Sequence, residues 1–174
     1  MTDYEEIFAE SSDRLEIYET IIDVGKESLK QFEPQVRSYL DHEDEELVGQ
    51  AAMTLGLRWS LPEFKDEAER MWRSSSSAHI RESAFLSWAS YSTISGDQED
   101  ARVVREIVGD DQYSPRLRGA ALSHLSRIFE MKPRVSSRVV SAIGDAESSE
   151  QVNSLIPWDL VNEICEEFGI EVVG

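Results

Sequence analysis

One spacing, repeated four times, constrains this chain more than any other feature. Leu117, Ala121 and Leu125 follow one another at steps of four, and the same steps join Leu47, Ala51 and Leu55, then Ile80, Ala84 and Trp88, then Val152, Ile156 and Leu160. A step of four returns a side chain to the same face of an α-helix, whereas a half-buried strand would repeat at two. The alanine at the centre of three copies lets a neighbouring helix come close. Ser114 offers a cap and Pro115 a first helical position for the helix that begins the third copy. The first anchors, at 47, 80, 117 and 152, lie 33, 37 and 35 residues apart. A unit of thirty-odd residues is the period of α-solenoids built from helical pairs.

The partner helix of each pair is also legible. Val36 and Leu40, then Phe64, Ala68 and Trp72, then Val103, Val104, Ile107 and Val108, then Val139, Val140 and Ile143 each precede an anchored helix. Gly109-Asp110 and Gly144-Asp145 follow the third and fourth of these, where glycine would end a helix in the left-handed conformation. Upstream, Ile7, Phe8, Leu15, Tyr18, Ile21 and Ile22 suit amphipathic helices with a break at Ser11-Ser12, closed by Gly25 as a C-cap. Pro34 restarts the next helix, and Pro157-Trp158 restarts the last. The only β-branched tail, Ile170 to Val173, is terminal.

The anchored helix resembles the second helix of HEAT-like repeats, which reads apolar-Arg-x-x-Ala-x-x-x-Leu after an Asp/Pro-containing turn. Asp110-Asp111 through Pro115, Leu117-Arg118, Ala121 and Leu125 match that pattern, and Ile80-Arg81, Ala84 and Trp88 follow it. The first copy has Val48 in place of the arginine, and the last has Asn153 there and Pro157 within the helix. The expected fold is therefore all-α: an α-solenoid of about four HEAT-like helical pairs with N-terminal capping helices. Residues 1–33 form the caps and 34–174 one continuous domain of repeats.

A repeat fold does not specify a function, so charge and chemistry must narrow it. The 174 residues carry a net charge of -18, with 4 basic against 15 acidic residues among the first fifty. That balance opposes binding to a phosphate backbone and favours a basic partner. HEAT-like DNA glycosylases hold duplex DNA on a basic concave face, whereas here only the third copy is locally basic, through Arg102, Arg105, Arg116, Arg118, Arg127, Lys132, Arg134 and Arg138. Those arginines are expected to pair with carboxylates of neighbouring repeats or stay solvated. One cysteine, Cys165, cannot form an internal disulfide, and no window has the apolar length of a membrane span or a signal peptide. The expected location is cytoplasmic.

Catalytic motifs are missing from the sequence: there is no Gly-rich phosphate loop, nucleophile elbow or CxxC pair. His42 lies in Asp41-His-Glu-Asp-Glu-Glu46, which lacks the glycine and ligand spacing of a calcium loop. Iron-binding HEAT-like hydroxylases use several His-Glu pairs, and this chain has one, His42-Glu43. His124 and Cys165 read as core residues, and so do Trp59, Trp72, Trp88 and Trp158. No metal or cofactor is expected.

The sequence thus points to a non-enzymatic protein-protein interaction module for a basic protein, of which an immunity or inhibitor type is one concrete version, with no nucleic-acid or membrane partner. Its expected contact residues are the acidic run Asp41, Glu43, Asp44, Glu45 and Glu46 at the rim, with Met53, Glu82 and Leu86 on the adjacent face. The alternative is an enzyme or small-molecule-binding protein with its site in a concave groove, for which Glu82, Tyr91, Arg118 and His124 are the best polar candidates. Oligomeric state leaves no mark in the sequence.

Overall fold

The computed structural model describes residues 4–127 and 134–170, and for 92–95 the backbone alone. Ile128, Lys132 and the tail from 171 to 173 lie outside the described residues. Every described element is helical. The chain divides into two compact units, Met1–Trp88 and Ala89–Gly174.

The first unit starts with α1 (Tyr4–Glu10) and α2 (Arg14–Lys26), broken at the expected serines. Asp13 makes the break productive: its carboxylate accepts from the Leu15 and Glu16 amides and caps α2. Pro34 falls in the first turn of α3 (Glu33–Ser38), where its missing N–H costs nothing. The first anchored helix, α4 (Glu45–Met53), widens into a π turn over Thr54–Arg58 and is followed by α5 (Lys65–Ser74). Then comes α6 (Ala78–Ser95), inside which the division between the units falls.

Two glycines explain how closely α4 and α6 approach. A Cβ on Gly56 would lie 2.4 Å from Ser87 Cβ, and one on Gly49 would lie 2.6 Å from His79 Nε2. Ser87 uses the closeness, its hydroxyl donating to the Ala52 carbonyl at 2.8 Å. Gly25 has a similar role, which corrects its assignment as a C-cap. It is buried inside α2, and a Cβ there would meet Arg58 Cδ at 2.6 Å. The cap is Glu27, and the left-handed conformation passes to Ser28, at φ 56°. Around these contacts Ile21, Val24, Val36, Leu47, Leu55, Phe64, Trp72, Phe85 and Trp88 are buried. Each contributes on the order of 1.5–3 kcal/mol through lost hydration.

The second unit contains α7 (Gln98–Gly109), α8 (Pro115–Leu125), α9 (Ser137–Gly144), α10 (Ser149–Leu155) and α11 (Trp158–Phe168). Helix α8 packs against both α7 and α9. Ser114 caps it as expected, accepting from Leu117 N–H with Pro115 in the first turn. Gly109 and Gly144 do end their helices, but neither adopts the left-handed conformation. Positive φ among glycines occurs at Gly96 and Gly169, and Gly169 is the left-handed cap of α11. Pro157 restarts the chain as α11, so Val152 and Ile156 are buried at the end of α10 while Leu160 belongs to the next helix and is half-buried. Of the twelve anchors, only Ile80 and Leu160 are not fully buried.

Candidate functional site

The acidic run begins α4, and helix-terminus chemistry accounts for much of its geometry. Asp44 is the N-cap, with φ −81° and ψ 111°, and its carboxylate accepts from the Glu46 and Leu47 amides. Behind it, His42 Nδ1 accepts from the Asp44 N–H at 3.0 Å while its ring lies 5.7 Å from that of Tyr39. Arg14, at the start of α2, places its guanidinium against both Asp44 and Glu46. The hydrogen bonds from Arg14 hold the Asp44 carboxyl below its ordinary range against a smaller upward push from desolvation, with the two helix amides adding to the lowering. Glu45 accepts from the Ser77 hydroxyl at 2.6 Å. Asp41 and Glu43 are exposed.

Three of the five rim carboxylates therefore have partners within the first unit, which sequence reasoning did not reveal. Arg14 is the missed residue. Its signal in the sequence is modest: it is the only basic residue among the first twenty-five.

Met53, Glu82 and Leu86 are each half-buried. The contacts of Gly49, Ala52 and Gly56 with His79 and Ser87 set α4 and α6 side by side in the same direction, which brings Met53 and Leu86 to corresponding positions along neighbouring helices.

A second acidic feature lies between α1 and α2. Glu6, Ile7, Glu10, Ser11 and Glu16 line an open cleft of about 400 Å³. The Ser11 hydroxyl donates to Glu16 at 2.6 Å. On the far side of α1, Tyr4 and Phe8 pack on Phe32, with ring centroids 5.9 and 5.7 Å apart, and Phe8 also meets Tyr39.

In the second unit the arginines are held mainly by contacts within the unit. Arg102 pairs with Glu99 and Glu106 on its own helix, and Arg134 reaches Glu163 and Glu167 on α11. Arg105 lies over the Trp158 ring at 5.5 Å. Arg118, 1% exposed, donates to the Val108 carbonyl at 3.0 Å and to Asn153, tying the end of α7 to α10. Burial pushes its pKa down, while Asp111 and Asp110 pull it up. Asn153 occupies in the last copy the position Arg118 holds in the third. His124 is half-buried, and burial, then Arg127, lowers its pKa to about 4. Of these two polar candidates for a groove site, Arg118 is thus part of the packed interior and His124 lies at its margin.

Cys165 is buried, with its thiol pushed up by desolvation. Among the described residues, no group of three or more His, Cys, Asp or Glu side chains is placed to hold a metal ion, and no helix is long and apolar enough to cross a membrane. Compared with protein-family models, curated proteins and solved structures, the chain matches none.

Proposed function

We propose that this chain is a non-enzymatic interaction module that binds a basic protein, built as a HEAT-like α-solenoid of about four helical pairs. The observation that carries the reading is the strongly acidic balance of the first fifty residues, 15 acidic against 4 basic. Glu5, Glu6, Glu10, Glu16, Glu43 and Glu46 are all exposed there. At physiological salt, charges within roughly 8 Å of one another act together, so such a surface attracts a basic protein and speeds its encounter. It repels a phosphate backbone for the same reason. An inhibitor that covers a basic active site is the concrete form of this reading. The solenoid part is supported by the four anchor copies and by the burial of all but two of their anchors.

The test is association kinetics with a partner captured from the native host and then purified. A basic partner should bind in fixed stoichiometry, with an association rate that falls steeply as salt rises. If the partner is an enzyme, the complex should lose its activity. An acidic partner, or association indifferent to salt, would overturn the reading.

A further inference from the structure

The second unit holds a cleft of the opposite character to the acidic surface of the first fifty residues. The end of α8 and the first turns of α9 border an open space of about 670 Å³. Its polar lining is two arginines, Arg127 and Arg134, and four serines, and among the described residues no carboxylate lines it.

The two guanidinium groups differ in what they offer. Arg134 is held by Glu163 at 3.8 Å and Glu167 at 2.8 Å and is 20% exposed, so it brings directed N–H groups more than net charge. Arg127 is exposed and has no ion pair among the described residues. Its charge is felt nearby, where it adds to desolvation in lowering the pKa of His124. Of the hydroxyls, Ser136 is committed to capping α9, and Ser141 donates only over 3.4 Å to Asp145. The Ser123 and Ser137 hydroxyls have no hydrogen-bond partner among the described residues, which leaves them free to turn to a ligand.

We propose that this cleft binds a small phosphate monoester whose body carries hydroxyl groups, a sugar phosphate in chemical class. The phosphate would sit at Arg127, where a charge-assisted pair forms without a protein carboxylate having to be displaced. The body would lie along α9. Ser137, Val140 and Ser141 follow at steps of three and four and so share a helix face, with Val135 also lining the cleft. The hydroxyls would exchange hydrogen bonds with those of the ligand while the valines meet its C–H surface. Pockets for organic ligands measure roughly 300–1,000 Å³, and inorganic phosphate would leave most of this one empty. The net charge of -18 opposes a long polyanion more than a small one, because salt confines each charge to roughly 8 Å.

This site is independent of the basic-partner reading, which stands or falls on its own test. Isothermal titration of the full chain would compare glucose 6-phosphate and ribose 5-phosphate with glucose and inorganic phosphate. At least one sugar phosphate should bind more tightly than either control. Arg127→Gln should weaken that binding by about tenfold or more, and a variant combining Ser137→Ala and Ser141→Ala by about fivefold. Arg116→Gln removes the same charge at the other end of α8 and should change affinity less than about twofold. All four positions are exposed, so circular dichroism should show the fold retained. If inorganic phosphate binds as tightly as the sugar phosphates, the hydroxyl-bearing ligand is wrong and the cleft takes an adventitious ion only. Equal losses in Arg127→Gln and Arg116→Gln, or none in either, place the binding elsewhere and overturn the site. Absence of binding by both sugar phosphates at millimolar concentration overturns the proposal outright.

Discussion

The two units bury very different interiors. In the first, Trp59, Trp72 and Trp88 are at most 2% exposed, and Trp72, Phe85 and Trp88 pack ring against ring with centroids 5.5–5.9 Å apart. The indole N–H groups of those three tryptophans find no acceptor among the described residues. In the second, the core is aliphatic, with Val104, Ile107, Leu122, Leu125, Ile143 and Ile164, and it contains a fully buried guanidinium at Arg118, while elsewhere on α8 the imidazole of His124 is half-buried. The first unit therefore depends on aromatic volume and leaves these indole N–H groups unused. The second depends on a small number of polar contacts between helices. Units drawn from the same repeated pattern can thus fail in different ways.

The largest expected effect tests the aromatic side of that contrast. Trp88→Ala should destabilise the chain by about 3–5 kcal/mol, because a large buried side chain leaves a cavity that its neighbours fill only in part. Trp88→Phe should cost much less, since the lost indole N–H had no acceptor. Urea unfolding measures both. Equal costs would show that the N–H has a partner after all, such as a bound water.

Next comes the polar side. Arg118→Ala should cost roughly 3 kcal/mol, through lost packing and the buried Val108 carbonyl left without its donor, while water can take over at the exposed Asn153. Arg118→Lys should recover only part of this, because a single ammonium cannot reproduce a planar fork that serves two acceptors. A lysine variant as stable as wild type would show that charge, not geometry, matters at this position.

These residues also show how far the sequence could be read. Leu117, Ala121 and Leu125 were legible because burial on a helix leaves a period, and the fourth copy's departure was legible because proline has a fixed backbone requirement. Gly109 and Gly144 do end their helices, though without the left-handed conformation, whereas Gly25 was misread outright. A glycine that ends a helix and a glycine that lets another side chain or helix approach look alike in one dimension. At Gly25 the determining neighbours, Thr54 and Arg58, come about thirty residues later. The rim shows the same difficulty. Asp41 to Glu46 reads as one acidic patch, yet Asp44 is a cap and Arg14 lies thirty residues upstream. The α1–α2 cleft escaped notice because its carboxylates are dispersed over eleven residues and form a surface only after the chain breaks at Ser11 and Ser12.

Acid should separate the units through His124. Its pKa falls from 6.5 to about 4 in the folded chain, so the unfolded state binds a proton more readily in that interval. The stability that comes from keeping the ring neutral is fully present above pH 6.5 and is lost as pH falls toward about 4. The loss should be about 2 kcal/mol, less than the full shift implies because the ring is only half-buried. Asp44, held below its ordinary 3.8, loses its contribution at lower pH still. Replacing His124 by glutamine should flatten the stability profile between pH 6.5 and 4 and leave the more acidic part unchanged. A profile that keeps its slope would place the titration on another group.

The smallest effect concerns the helix caps, where the two units should behave alike. Asp44 caps α4 and Ser114 caps α8, each accepting from amides in the first turn. Asp44→Ala and Ser114→Ala should each cost about 1 kcal/mol, because both leave first-turn N–H groups to water. The exchange Asp44→Ser keeps an acceptor at the cap but gives up the Arg14 contact and the negative charge at a helix N-terminus, each worth a few tenths of a kcal/mol at an exposed site. It should therefore cost less than the alanine change, and the remaining cost should shrink as salt is raised. Ser114→Asp is the reciprocal experiment: it adds a negative charge to the α8 terminus and should stabilise by a similar small amount that salt removes. If Asp44→Ser proves as costly as Asp44→Ala whatever the salt, the contact with Arg14 matters more than the cap, and the rim holds the first unit together more firmly than its exposure implies.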